Sequence, residues 1–176
     1  MYPGKKTVCL ILVSSLVLQA FSQRDFPVPA ANSNQLFYLQ RSPNANTVIY
    51  ELNYKNGVVD SVNPVHVFWI LYNEKGQQAE LSDIQRKFAY GLTTNKIADN
   101  HYELSFLSYK KFIMQLEPGI DNKLHVYVNI NNRKAILTNI YLEINGGTFW
   151  KPNIEFAEIA GVDPANNSIV MERVKI

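Results

Sequence analysis

The sequence predicts a mainly β fold, an antiparallel sandwich or barrel of about nine strands with one short packed α-helix over residues 82–90. Three observations carry this expectation. Segments of five to ten residues rich in Val, Ile, Tyr and Phe recur along the chain. Turn compositions built on Gly, Asn and Pro separate them, Gly and Asn because they tolerate positive φ and Pro because it fixes its own. A single stretch, Leu81–Leu92, has helical rather than alternating periodicity.

The first strands expected are Leu36–Arg41 (LFYLQR), closed by Ser42-Pro43-Asn44, and Thr47–Tyr54 (TVIYELNY), closed by Lys55-Asn56-Gly57. Val65–Tyr72 (VHVFWILY) follows, closed by Asn73-Glu74-Lys75-Gly76. It is apolar on both faces, with Val67, Trp69 and Leu71 opposite Phe68 and Ile70, which marks it as the candidate for the most central strand. In LSDIQRKFAYGL, Leu81, Ile84, Phe88 and Leu92, with Ala89, form one apolar stripe that predicts packing on the sheet. Ser82 and Gln85 have capping-box spacing, and Gly91 is placed to end the helix in a left-handed conformation.

Six further strands are expected at Tyr102–Tyr109, Lys111–Leu116, Leu124–Ile130, Ala135–Ile144, Asn153–Ile159 and Ser168–Val174. In Leu124–Ile130 the alternation puts Leu124, Val126, Val128 and Ile130 inward, with His125, Tyr127 and Asn129 opposite. In Ala135–Ile144 it puts Ile136, Thr138, Ile140, Leu142 and Ile144 on one face, opposite Leu137, Asn139, Tyr141 and Glu143.

Three segments in order, LFYLQRSPNANTVIYELN, PVHVFWILYNEKG and LSDIQRKFAYGL, resemble the DUF4833 family, with Trp69 in an apolar strand and the Gln85-Arg86…Ala89-Tyr90-Gly91 run. The resemblance extends from Phe26 to the C-terminus. It implies an exported or membrane-linked protein of a bacterial cell envelope and brings no mechanism with it.

The N-terminal segment agrees with export. Lys5 and Lys6 precede an apolar run from Val8 to Leu18, and Ala20-Phe21-Ser22 place small residues three and one before a cut ahead of Gln23, so residues 1–22 are expected to be a signal peptide. The run falls short of the roughly 20 residues that span a bilayer, so no stable transmembrane anchor is expected. Residues 23–35, with Pro27 and Pro29, suit an extended leader, and residues 36–176 a single β-rich domain.

Cleavage after Ser22 removes Lys5 and Lys6 from 17 Lys and Arg, leaving 15 against 15 Asp and Glu. A formally neutral mature chain gives no support for a nucleic-acid partner, which requires a clustered basic face. Cys9 leaves with the signal, which excludes an internal disulfide and thiolate metal sites.

Catalytic signals are weak. His66, His101 and His125 share no ligand-like spacing, no G-x-S-x-G elbow occurs, and Gly146-Gly147 reads as a hairpin turn rather than a phosphate loop. No metal or cofactor is therefore expected. The acids Glu51, Glu103, Glu143, Glu155, Glu158 and Glu172 are dispersed among strands. The more informative excess is aromatic, since nine Tyr, eight Phe and two Trp remain after cleavage, and binding clefts combine aromatic walls with a few polar anchors.

The candidate ligand-binding residues are Arg86, Lys87 and Tyr90 on the polar face of the helix, Arg41 and Asn46 flanking the first hairpin turn, and Trp69. A fixed arginine suits bidentate capture of a carboxylate or phosphate. The function expected is a non-catalytic periplasmic or secreted binding or interaction module for a small molecule, lipid, glycan or envelope protein. The alternative is an envelope hydrolase acting on glycan or lipid through a carboxylate or histidine.

Overall fold

The computed structural model describes residues 26–148 and 151–176, so the expected signal peptide lies outside the described residues. The chain is mostly β. Eleven strands form one large curled sheet, a half-barrel, and two more form a small hairpin.

The strands are β1 (Gln35–Arg41), β2 (Asn44–Leu52), β3 (Tyr54–Lys55), β4 (Val58–Val59), β5 (Val65–Ile70), β6 (Gln78–Glu80) and β7 (Leu92–Ala98). They continue as β8 (His101–Phe106), β9 (Ile113–Pro118), β10 (Leu124–Ile130), β11 (Arg133–Gly147), β12 (Pro152–Val162) and β13 (Ile169–Lys175). Between β6 and β7 lies the one helix among the described residues, a single α turn α1 (Asp83–Gln85) running into a π turn over Arg86–Tyr90.

The long strand β11 organises the sheet. One of its edges pairs with β10 through residues 133–136 and then, in parallel, with β1 through residues 139–142, while its other edge pairs with β12. Two wings therefore leave the same edge of β11, one ordered β1-β2-β5-β6 and the other β10-β9-β8-β7. The wings face each other across the core, where Phe37 stacks on Tyr50 at 4.2 Å and Tyr50 meets Phe106 of the opposite wing edge-on at 6.0 Å. The helix links β6 to β7, the outermost strands of the two wings, and so closes their open side. Tyr50 ties it down by donating from its hydroxyl to the Tyr90 carbonyl at 2.9 Å.

Several expectations change on this frame. The sheet is mixed rather than wholly antiparallel, because β1 enters alongside β11. The Val65–Tyr72 segment is not central: β5 is one strand from the wing edge, flanked there only by three-residue β6; Val67 and Trp69 face the core, and Phe68 on the other face is buried as well. The sheet centre is β1 and β11. Strand β7 was not anticipated, since LTTNKIA is an exposed edge with little to bury.

The alternation expected for Ala135–Ile144 breaks in the middle. Leu137 pairs with Gly161 and Asn139 with Ala160, so Thr138 is an extra residue, a β-bulge. Ala135 and Leu137 on one side of it and Ile140, Leu142 and Ile144 on the other thereby reach the same concave face. A second step, between Glu143–Phe156 and Ile144–Ile154, does the same for Ala157 and Ile154 on β12. Gly161 is required opposite the first bulge, because a Cβ there would stand 2.5 Å from the Ile136 carbonyl oxygen. By contrast, Val126, Val128 and Ile130 of β10 are buried as the alternation predicts.

The helix starts as expected and ends differently. Ser82 and Gln85 form the capping box. Gly91 is extended, at φ −66°, rather than left-handed; its N–H closes the π turn on the Arg86 carbonyl at 3.0 Å. Glycine is needed because a Cβ would lie 2.1 Å from that oxygen. The stripe is also not buried as a unit. Leu81 is in the core and Leu92 packs against it, but Ile84 is 46% and Phe88 58% exposed. A π turn holds more residues per turn than an α turn, so Phe88, inside it, rotates off the line that an α-helical stripe would follow; Ile84 lies in the α turn before it and is exposed there.

Candidate functional site

Where β10 leaves β11 and β1 arrives, the core does not fill the space between the wings. A cavity of about 700 Å³ opens there, within the roughly 300 to 1,000 Å³ typical of ligand sites. Its inner wall is apolar, built by Leu39 of β1, Phe106 of β8, Ile140 and Leu142 of β11, and Ala157 and Ile159 of β12. The two bulges put the β11 and β12 residues there. Its mouth carries Ile84 and Phe88 from the helix and Tyr109 and Phe112 from the β8–β9 connection.

Polar groups are few and concentrated. Phe37, Leu39 and Arg41 succeed one another along β1, and Arg41 comes where the buried core gives way to the cavity. Its guanidinium carbon is 5.8 Å from the centre of the Trp69 ring, a cation–π geometry. Tyr90 meets the same indole edge-on at 4.9 Å. Burial pushes the Tyr90 hydroxyl pKa up, and the neighbouring Arg41 opposes that rise.

Gln85 completes the group. Its side-chain oxygen accepts from Ser82 N at 3.0 Å and from Trp69 Nε1 at 3.3 Å, so the capping box and the buried indole share one acceptor. This leaves the Gln85 amide nitrogen as a donor at the cavity wall.

Arg41 is only partly satisfied. Its Nε is buried with no hydrogen-bond acceptor among the described residues, and no described carboxylate is within salt-bridge distance of it. Burying a cation without a counter-charge costs several kcal/mol, on the order of the penalty for an unpaired ion. Among the described residues lining the cavity there is no Asp, Glu or His, whereas Lys111 and Lys151 are exposed at its rim. The cavity is thus apolar, with an excess of positive charge.

Of the residues singled out in the sequence, Arg41 and Tyr90 line the cavity and buried Trp69 backs them. The others lie elsewhere. Arg86 reaches toward Glu80 at 3.6 Å, Lys87 sits over the Phe88 ring at 5.3 Å, and Asn46 Oδ1 accepts from the Asn73 N–H at 2.9 Å. Gln85 was legible only as a cap, and Ile84 and Phe88 only as core. Nothing in their spacing signals a cavity mouth.

The histidines occupy separate places. His66 lies between Glu51 at 3.4 Å and Glu80 at 2.9 Å, His101 is 3.2 Å from Gln115, and His125 is 2.9 Å from Asp121. No cluster of metal-ligating side chains occurs among the described residues.

The model of the domain of unknown function DUF4833 matches residues 37–173. The chain belongs to the DUF4833 family. No curated protein and no solved structure matches it. The matched span of this DUF4833 chain takes in β1 to β13, and with them Arg41, Trp69, Gln85 and Tyr90. No helix among the described residues is long and apolar enough to cross a membrane.

Proposed function

We propose that this DUF4833 chain is an exported, non-catalytic binding module of the cell envelope that holds an apolar small molecule or lipid in the half-barrel cavity. The observation that carries the reading is the apolar wall of that cavity, which continues the core and ends at a small polar group. Export is supported by Lys5, Lys6, the apolar run and the Ala20-Phe21-Ser22 cleavage pattern.

A hydrolase reading finds less support. The described lining offers hydroxyls but no Asp, Glu or His side chain to activate them. Ser42 Oγ accepts from the Ile144 N–H at 2.7 Å and Ser108 Oγ donates to the Ala89 carbonyl at 2.7 Å, so both bind backbone. The apolar wall favours lipid over glycan, whose hydroxyls would be left unpaired against Leu142 and Ile159.

The test is to purify the protein from its native envelope, extract it with organic solvent and identify what is released by mass spectrometry. An apolar molecule in near-stoichiometric amount, lost in Leu142→Trp at unchanged melting temperature, is expected. Equal extracts from the two proteins would contradict the reading.

A further inference from the structure

Arg41 raises a question that an apolar ligand alone does not answer. Its charge is partly desolvated, and among the described residues its Nε has no acceptor and its compensation is the Trp69 face and the Tyr90 hydroxyl. Around it lie two further donors, the Tyr90 hydroxyl and the Gln85 amide nitrogen. Three donors at one end of an apolar cavity with no acidic side chain among its described lining residues describe a receptor for an anion joined to an apolar body.

Resting on the cavity reading above, we propose that the ligand is a single-chain amphiphile with a carboxylate head held by Arg41, Gln85 and Tyr90. The guanidinium of Arg41 lines the cavity and offers its two Nη groups as a fork matching the two carboxylate oxygens, and the head supplies the counter-charge that no described carboxylate gives it. The tail lies along Ile140, Leu142 and Ile144, the row that the Thr138 bulge turns inward. Charge selects the head. A single cation stands in the buried part of the site, matching a carboxylate, whereas a phosphomonoester brings about −1.5 to −2 charges and would require a second. Lys111 and Lys151 are exposed at the rim and meet the ligand by steering it.

The experiment is calorimetric titration of the purified protein with dodecanoate, dodecan-1-ol and dodecyl phosphate, each below its micelle-forming concentration. Dodecanoate is expected to bind about tenfold or more tightly than the alcohol, the size of a charge-assisted hydrogen bond. In Arg41→Met that preference disappears while the alcohol still binds, and Arg41→Lys recovers only part of it because the fork is lost. A preference surviving in Arg41→Met, or phosphate binding more tightly than carboxylate, overturns the assignment of the head while leaving the cavity reading standing. Failure of all three to bind overturns both. Melting curves of the variants, expected at or above that of the wild type, confirm that lost binding is not lost fold.

Discussion

Arg41 holds its guanidinium carbon 5.8 Å from the centre of the Trp69 ring, at the point where the packed core of the half-barrel opens into the cavity. The pair sits on neighbouring parts of one wing, Arg41 at the end of β1 and Trp69 in β5, with β2 between them. Their relation gives the site its character: a cation kept near an aromatic face rather than a carboxylate.

Such an arrangement costs stability in the empty protein. Replacing a poorly compensated buried charge with an apolar side chain of similar size is often stabilising by about 1 to 4 kcal/mol, and the part-exposed Arg41 falls at the low end. Arg41→Met is therefore expected to raise the ligand-free melting temperature by a few degrees in differential scanning calorimetry. A drop would show that the arginine is structural.

Gln85 serves two donors with one oxygen, so its loss should cost more than loss of its capping partner. Gln85→Ala removes the back-bond to Ser82 and strands the Trp69 indole N–H, a loss of about 2 kcal/mol, against about 1 kcal/mol for Ser82→Ala. Urea unfolding of the two variants checks the order; equal losses would mean that the indole bond contributes nothing.

Phe88 reverses an expectation. As a core residue its truncation to alanine would cost about 3 to 5 kcal/mol. At 58% exposure on the cavity mouth, Phe88→Ala should cost under about 1 kcal/mol while weakening ligand binding. Chemical denaturation beside a binding titration separates the two.

Tyrosine burial sets an alkaline limit. Burial drives the Tyr50 pKa well above 10.0, with Tyr90 close by adding to the rise, and Tyr90 itself is raised by burial. Between the unfolded pKa of about 10 and the folded one, the native state keeps a proton that the unfolded chain releases. The unfolded state then binds fewer protons, so this stability is fully present below about pH 10 and is lost as pH rises toward the folded value. Part of the tyrosinate absorbance should appear only together with loss of the β circular-dichroism signal. Complete tyrosine titration with the fold intact would contradict this.

Much of the fold was readable because its strands are short, β-branched and separated by turns with their own chemistry. Asn56 and Gly57 adopt the positive φ that the β3–β4 turn requires, and Ser82 and Gln85 cap the helix as their spacing predicts. What was not readable is long-range. The Thr138 bulge flips an alternation that looks regular in one dimension, and the parallel entry of β1 beside β11 joins residues a hundred positions apart. The site follows the same division. Arg41 and Tyr90 are recognisable as anchors by residue type, but their meeting depends on the helix bridging the two wings. A π turn, which no composition announces, puts Phe88 at the mouth rather than in the core.

The measurement that bears most directly on the account is a map of amide chemical-shift changes in isotope-labelled protein titrated with dodecanoate. Saturable changes concentrated at Arg41, Gln85, Tyr90, Ile140, Leu142 and Ile159 are expected, and their loss in Arg41→Met. Changes centred instead on the outer faces of the wings, or along the exposed edge of β7, would contradict it.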